Sequence, residues 1–179
     1  MAIGLADSGE GGIPSFQVTN STQSTISATI TVTPSYENNG IICDGNAETF
    51  TITVNPSPEM DNVEDVVLCN NEISSIIEFT TPNTDGNTTY TWTNDNTSIG
   101  LSSTGNGDIP SFTALNLSPI TEVATITVTP TYENNGVVCI GDPQTFSISV
   151  LSEIEITGTT VDALDCNDPN SGNINITVT

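Results

Sequence analysis

Along residues 28–33 the chain alternates strictly, with Ala28, Ile30 and Val32 apolar and Thr29, Thr31 and Thr33 polar. That period of two puts one face of a strand against a core and the other in solvent. Pro34 cannot donate a ladder hydrogen bond, so the strand is expected to end there or to reach a sheet edge. Asn39-Gly40, two residue types that tolerate positive φ, then suit a tight hairpin into Ile41-Ile42-Cys43. The same style of reading predicts strands at Thr51–Val54, Val66–Cys69, Ile73–Thr81, Thr89–Thr93 and Ser147–Val150. Further on, Glu153–Val161 and Asn173–Val178 read as strands and Asp165–Gly172 as a polar turn. No stretch sustains a helical period, so the fold class is all-β.

The pattern repeats. Shifting the chain by 96 residues aligns Ile3-Gly4-Leu5 with Ile99-Gly100-Leu101, and the register runs without a gap to Val54 and Val150, over half of the pairs being identical. Ala28–Gly40 thus returns as Ala124–Gly136, and Ile13-Pro14-Ser15-Phe16 as Ile109-Pro110-Ser111-Phe112. A period of this length is one domain-sized unit. Asn55 to Asn62, with Pro56 and Pro58, reads as a semi-rigid linker. The expected organisation is therefore the C-terminal half of a repeat over 1–55, a complete repeat over 56–151, and the start of a different β module over 152–179. The strand count of the complete repeat fits an immunoglobulin-like sandwich. Residues 1–55 contain nothing matching Val63–Ser98, and a half-sandwich would expose its apolar face and open edges. The expectation is a window from a longer array, or else pairing of that half with strands of another chain.

Composition narrows the function. The chain has 179 residues, 22 Asp and Glu, and no Lys, Arg or His, a formal charge of -22. No side-chain salt bridge can form. Nucleic acid is excluded as a partner, because nothing cationic is available to meet phosphates. Zinc sites and most acid–base or nucleophilic machinery also lose their usual residues. Carboxylates, hydroxyls and thiols remain. A glycosidase-type carboxylate pair cannot be singled out among so many acids, and the expectation is that the chain is not an enzyme. No apolar run is long enough to span a membrane as a helix, and the first residues do not read as a signal peptide.

Three groups of residues could carry chemistry. Cys69 and Cys139 fall in one repeat, and in a setting that reads as extracytoplasmic they are expected to form a disulfide worth roughly 3–4 kcal/mol. Cys43 and Cys166 are then left without partners. Glu59, Asp61, Glu64 and Asp65 crowd the linker, where their oxygens could clamp calcium and stiffen the joint. Asp165 to Asn170 is a weaker acidic loop that matches no EF-hand spacing. Trp92 and Tyr90 read as core, the rival being an aromatic platform for a sugar ring.

The run from Tyr90-Thr91-Trp92-Thr93 to Ile99-Gly100-Leu101, with Gly107-Asp108-Ile109-Pro110-Ser111-Phe112, Ala124–Pro130 and the closing Phe146–Val150, closely resembles the PKD-like repeats of giant Bacteroidetes surface proteins. The tail, with Cys166, Gly172, Ile174, Ile176 and Val178, is similar to the opening of the repeat family named after the gliding adhesin SprB. The resemblance implies an extracellular filament on the cell surface, exported by the type IX secretion system, moved by the gliding machinery and gripping an external surface or polysaccharide. Its partners along the chain would be neighbouring repeats. It implies no cofactor and no catalytic residues. PKD-like repeats also occur in secreted polysaccharide-degrading enzymes, which makes a carbohydrate-binding or spacer module the alternative.

Overall fold

The computed structural model describes residues 3–153, 156–161 and 174–178. The protein is all-β. In chain order the strands are β1 (Ile26–Val32), β2 (Ser35–Asn38), β3 (Ile41–Asp44), β4 (Glu48–Val54), β5 (Val66–Cys69), β6 (Asn87–Asn94), β7 (Thr104–Asn106), β8 (Glu122–Asn134), β9 (Val137–Ile140), β10 (Gln144–Leu151), β11 (Ile156–Val161) and β12 (Ile174–Val178). A single 3-10 turn, Thr97–Ile99, interrupts them among the described residues.

The 96-residue register of the sequence returns in the geometry. β1 pairs antiparallel with β4 so that Ala28 faces Ile52 and Ile30 faces Phe50; β8 pairs with β10 so that Ala124 faces Ile148 and Ile126 faces Phe146. Tyr36 lies opposite Cys43 on β2–β3, as Tyr132 lies opposite Cys139 on β8–β9. Both hairpins turn on Asn-Gly. Asn39 and Gly40 have φ of 49° and 80°, Asn135 and Gly136 of 51° and 79°, the positive values that a two-residue turn with matching twist demands. Even single backbone bonds recur: Thr19 donates to Ile3 as Leu115 donates to Ile99, and Gly45 to Pro34 as Gly141 to Pro130.

Residues 3–62, Phe79–Tyr90 and Thr129–Pro143 form one compact unit; Val63–Glu78, Thr91–Val128 and the residues from Gln144 onward form the other. β6 and β8 contribute to both. In the second unit the sheet order is β5-β10-β8-β6-β7. One face of it is dry: Ala124, Ile126 and Val128 of β8, Phe146, Ile148 and Val150 of β10, and Trp92 of β6 are all buried. Each side chain of this size contributes about 1.5–3 kcal/mol on burial. In the first copy the strand stops before Pro34, as expected, β1 ending at Val32, whereas in the second the alternation along β8 continues past Pro130, with Pro130 and Tyr132 also buried. The Pro130 carbonyl still accepts its hydrogen bond from Gly141 at 2.9 Å.

One strand expectation changes and the tail keeps its own. Ile73–Thr81 is not a strand: it makes only isolated bridges, Ile73 with Thr113 and Ile77 with Ile109, because Ile73 and Ile76 point outward and the apolar run offers no continuous face. The tail does form strands, β11 and β12 pairing antiparallel, whereas Asp165 to Gly172, with Cys166, lies outside the described residues.

Candidate functional site

β5 opens the second repeat and β10 closes it, and the two lie side by side in parallel, with Val66 beside Ile148 and Cys69 beside Leu151. Parallel neighbours cannot be joined by a tight turn, so this pair draws together the two ends of the repeat. Leu68 is buried while Val66 is half-buried and Val67 exposed, the alternation of an edge strand. Below the pair, the Asp65 carboxylate accepts a hydrogen bond from the Ser147 backbone N–H at 2.7 Å. Above it, the Glu72 carboxylate accepts from the Cys69 N–H at 2.7 Å, and Asn70 donates to Glu153 at 3.3 Å. Asparagines fasten the surrounding loops. Asn116 donates its amide to the carbonyls of Ile120 and Val150, both at 2.8 Å, and its backbone N–H donates to the Asn70 side chain at 2.8 Å.

The bond from Ser147 holds the Asp65 carboxyl below the ordinary carboxylate range, against a smaller opposing effect of burial. A carboxyl whose folded pKa is depressed adds stability that is complete above its unfolded value and lost as pH falls through the folded one. Asp65→Asn is therefore expected to lower the urea midpoint at pH 6, and the gap from the wild type should close as pH falls below about 4. A gap of constant size down to pH 2 would show that the carboxylate charge plays no part.

In the other unit, the buried Tyr132 is the hub. Its hydroxyl donates to the Thr84 carbonyl at 2.8 Å and lies 3.4 Å from the Thr25 hydroxyl. Asn134 donates to the Thr25 hydroxyl at 3.0 Å and to the Asn55 side chain at 3.3 Å, and the Thr84 N–H donates to the Gln23 carbonyl at 2.8 Å. A cross-strand tyrosine and asparagine of the second repeat thus hold the end of the first.

The cysteines do not behave as expected. Cys69 and Cys139 are both free thiols, as is Cys43. On their ladders Cys69 lies opposite Leu151 and Cys139 opposite Tyr132. The linker carboxylates also go separate ways. Asp61 accepts from the Thr80 hydroxyl at 2.6 Å, Glu59 from the Gln23 amide at 3.4 Å, and Asp65 from Ser147; Glu64 joins none of these bonds. Among the described residues no group of three or more His, Cys, Asp or Glu could hold a metal ion. Trp92 is 4% exposed and Tyr90 is buried against Phe79, with ring centroids 5.4 Å apart.

What the sequence reading missed is the asparagine set. Asn20 stood out only as part of Asn20-Ser21-Thr22, a glycosylation-type triplet. Its amide in fact donates to the carbonyls of Ser24 and Val54, at 2.8 and 3.0 Å, repeating what Asn116 does 96 residues later. Identity of Asn20 and Asn116 amid otherwise dissimilar neighbours was the available signal. No family model, no curated protein and no solved structure matches the chain. No helix among the described residues is long and apolar enough to cross a membrane.

Proposed function

We propose that this chain is a stretch of the stalk of a filamentous, extracellular cell-surface adhesin, built of immunoglobulin-like PKD-type repeats and serving gliding motility and surface attachment. The observation that carries the reading is the parallel pair β5–β10. Tension along the chain enters a repeat at the start of β5 and leaves at the end of β10. These are opposite ends of a parallel pair, so the ladder is loaded in shear and its hydrogen bonds must fail together. Antiparallel neighbours pulled from adjacent ends would unzip one bond at a time. Repetition at 96 residues and the tyrosine–asparagine junction suit a chain that passes force from one repeat to the next. The resemblance to PKD-like repeats supports the adhesin setting and its partners, the type IX secretion and gliding machinery. A carbohydrate-binding module would need an aromatic platform, and Trp92 is buried.

Single-molecule pulling tests this directly. With Cys43, Cys139 and Cys166 changed to serine, the chain is held either by its two termini or by the exposed Cys69 and the C-terminus. Held at Cys69, beside Leu151, the same strands are unzipped rather than sheared. Unfolding of residues 66–151 releases about 300 Å at ~3.5 Å per residue. The expected result is a severalfold higher force for that step in end-to-end pulling. Equal forces in the two geometries would remove the mechanical reading.

A further inference from the structure

The two copies of the repeat share residues and backbone geometry yet differ in cover. Tyr36 is 69% exposed where Tyr132 is 0%, Phe50 is 46% where Phe146 is 6%, and Val32 is 46% where Val128 is 0%. Around Tyr132 the cover can be named. Gly86 lies so close that a Cβ there would run into the phenol ring, and the Thr84 carbonyl takes the hydroxyl proton. Gly141 packs in the same way on the Pro58 backbone, while its counterpart Gly45 meets only Pro34. Pro58, Thr84 and Gly86 all belong to the stretch that precedes Ile99 in the repeat. Among the described residues no such stretch covers Val32, Tyr36 and Phe50, which stay exposed.

We propose that the face carrying Val32, Tyr36, Gly45 and Phe50 is a docking surface for a β segment of the kind formed by residues 56–98. Such a segment is extended and acidic, with a proline to seat on Gly45 and a glycine flat against Tyr36. The register fixes where it docks: its last residue falls just ahead of Ile3, as Ser98 falls just ahead of Ile99. The occupant is recognised by shape and backbone bonds rather than charge, since the face and the segment are both anionic and cation-free. This inference stands apart from the stalk proposal, because docking can succeed whatever the unfolding force.

The chain has three tyrosines, and Tyr90 and Tyr132 are buried, so nitration by tetranitromethane reports on Tyr36. The experiment places an extra copy of residues 56–98 ahead of Ile3 in the full chain, and peptide mapping separates nitration of Tyr36 from that of the tyrosine which the added copy or peptide brings at the position of Tyr90. Nitration of Tyr36 is expected to slow at least tenfold, and a glycine-to-valine change at the position of Gly86 in the added copy is expected to restore it. A synthetic peptide of residues 56–98, added in trans to the unextended chain, serves as the second measurement and should protect Tyr36 in a saturable way. Unchanged nitration in both formats overturns the proposal. So does protection of Tyr36 in the unextended chain that grows with its own concentration, which would make a second copy the occupant.

Discussion

A Tyr132→Ala variant is expected to lose about 3–5 kcal/mol of folding stability, while Tyr36→Ala, at the matching position of the preceding repeat, changes it by less than about 0.5 kcal/mol. The two side chains have the same sequence neighbours from Ala28 to Gly40 and from Ala124 to Gly136, apart from Ser35 in place of Thr131. Intrinsic strand preference therefore cancels in the comparison. Burial does not cancel. Tyr132 loses its packing on Gly86 and its hydrogen bond to the Thr84 carbonyl. Tyr36 gives up little, being mostly in water already. Urea unfolding of each variant, followed by circular dichroism, reads the difference. Equal losses would mean that the two copies are packed alike and that the exposed face is covered in solution.

The second large effect centres on Trp92. Trp92→Ala is expected to cost about 3–5 kcal/mol, and Trp92→Phe much less. The indole lies in a slot walled by Gly105 on the paired strand β7, where Trp92 and Gly105 are opposite each other. A Cβ on residue 105 would fall within the indole, so Gly105→Ala should itself cost about 1–3 kcal/mol. Because both changes act on one contact, the double variant Trp92→Ala with Gly105→Ala should cost less than the sum, by about 0.5–3 kcal/mol. The mildness of phenylalanine has a separate cause: the Trp92 indole N–H is buried with no hydrogen-bond partner, a burden that phenylalanine removes. Full additivity in the double variant would show that the slot is not what holds the ring.

Much of this architecture was legible in the letters. Alternation of Ala28, Ile30 and Val32 with threonines gave β1, Asn39-Gly40 gave the turn, and the offset of 96 carried both to their partners in the second copy. Where the reading failed, the deciding physics was non-local. Pairing direction is invisible in a period of two, so nothing in Val66–Cys69 or Ser147–Val150 announced a parallel ladder. Pro34 and Pro130 have the same residues before them, yet one falls between two strands and the other inside β8. Cys69 and Cys139 were matched because they share one repeat in a setting that reads as extracytoplasmic, and neither ground says how far apart the two thiols lie; both are free. Tyr36 and Tyr132 make the limit plainest, being the same residue in the same local text with opposite exposure.

The parallel strand pair also bears on how a repeat is made. Val66 can meet Ile148 only after the residues between them have been synthesised, so the repeat closes late, with a high contact order and the slow folding that goes with it. Until then β5 is an open edge, and a near-copy of its proper partner is already at hand: Thr51-Ile52-Thr53-Val54 differs from Ser147-Ile148-Ser149-Val150 only by threonine for serine. The nascent chain thus holds two competing templates for one strand, the wrong one emerging first. Cross-pairing between adjacent copies is the characteristic misfolding hazard of such tandem chains. The pairing of β4 with β1 does not remove that hazard, because it occupies one edge of β4 and leaves open the edge that corresponds to the one β10 offers to β5.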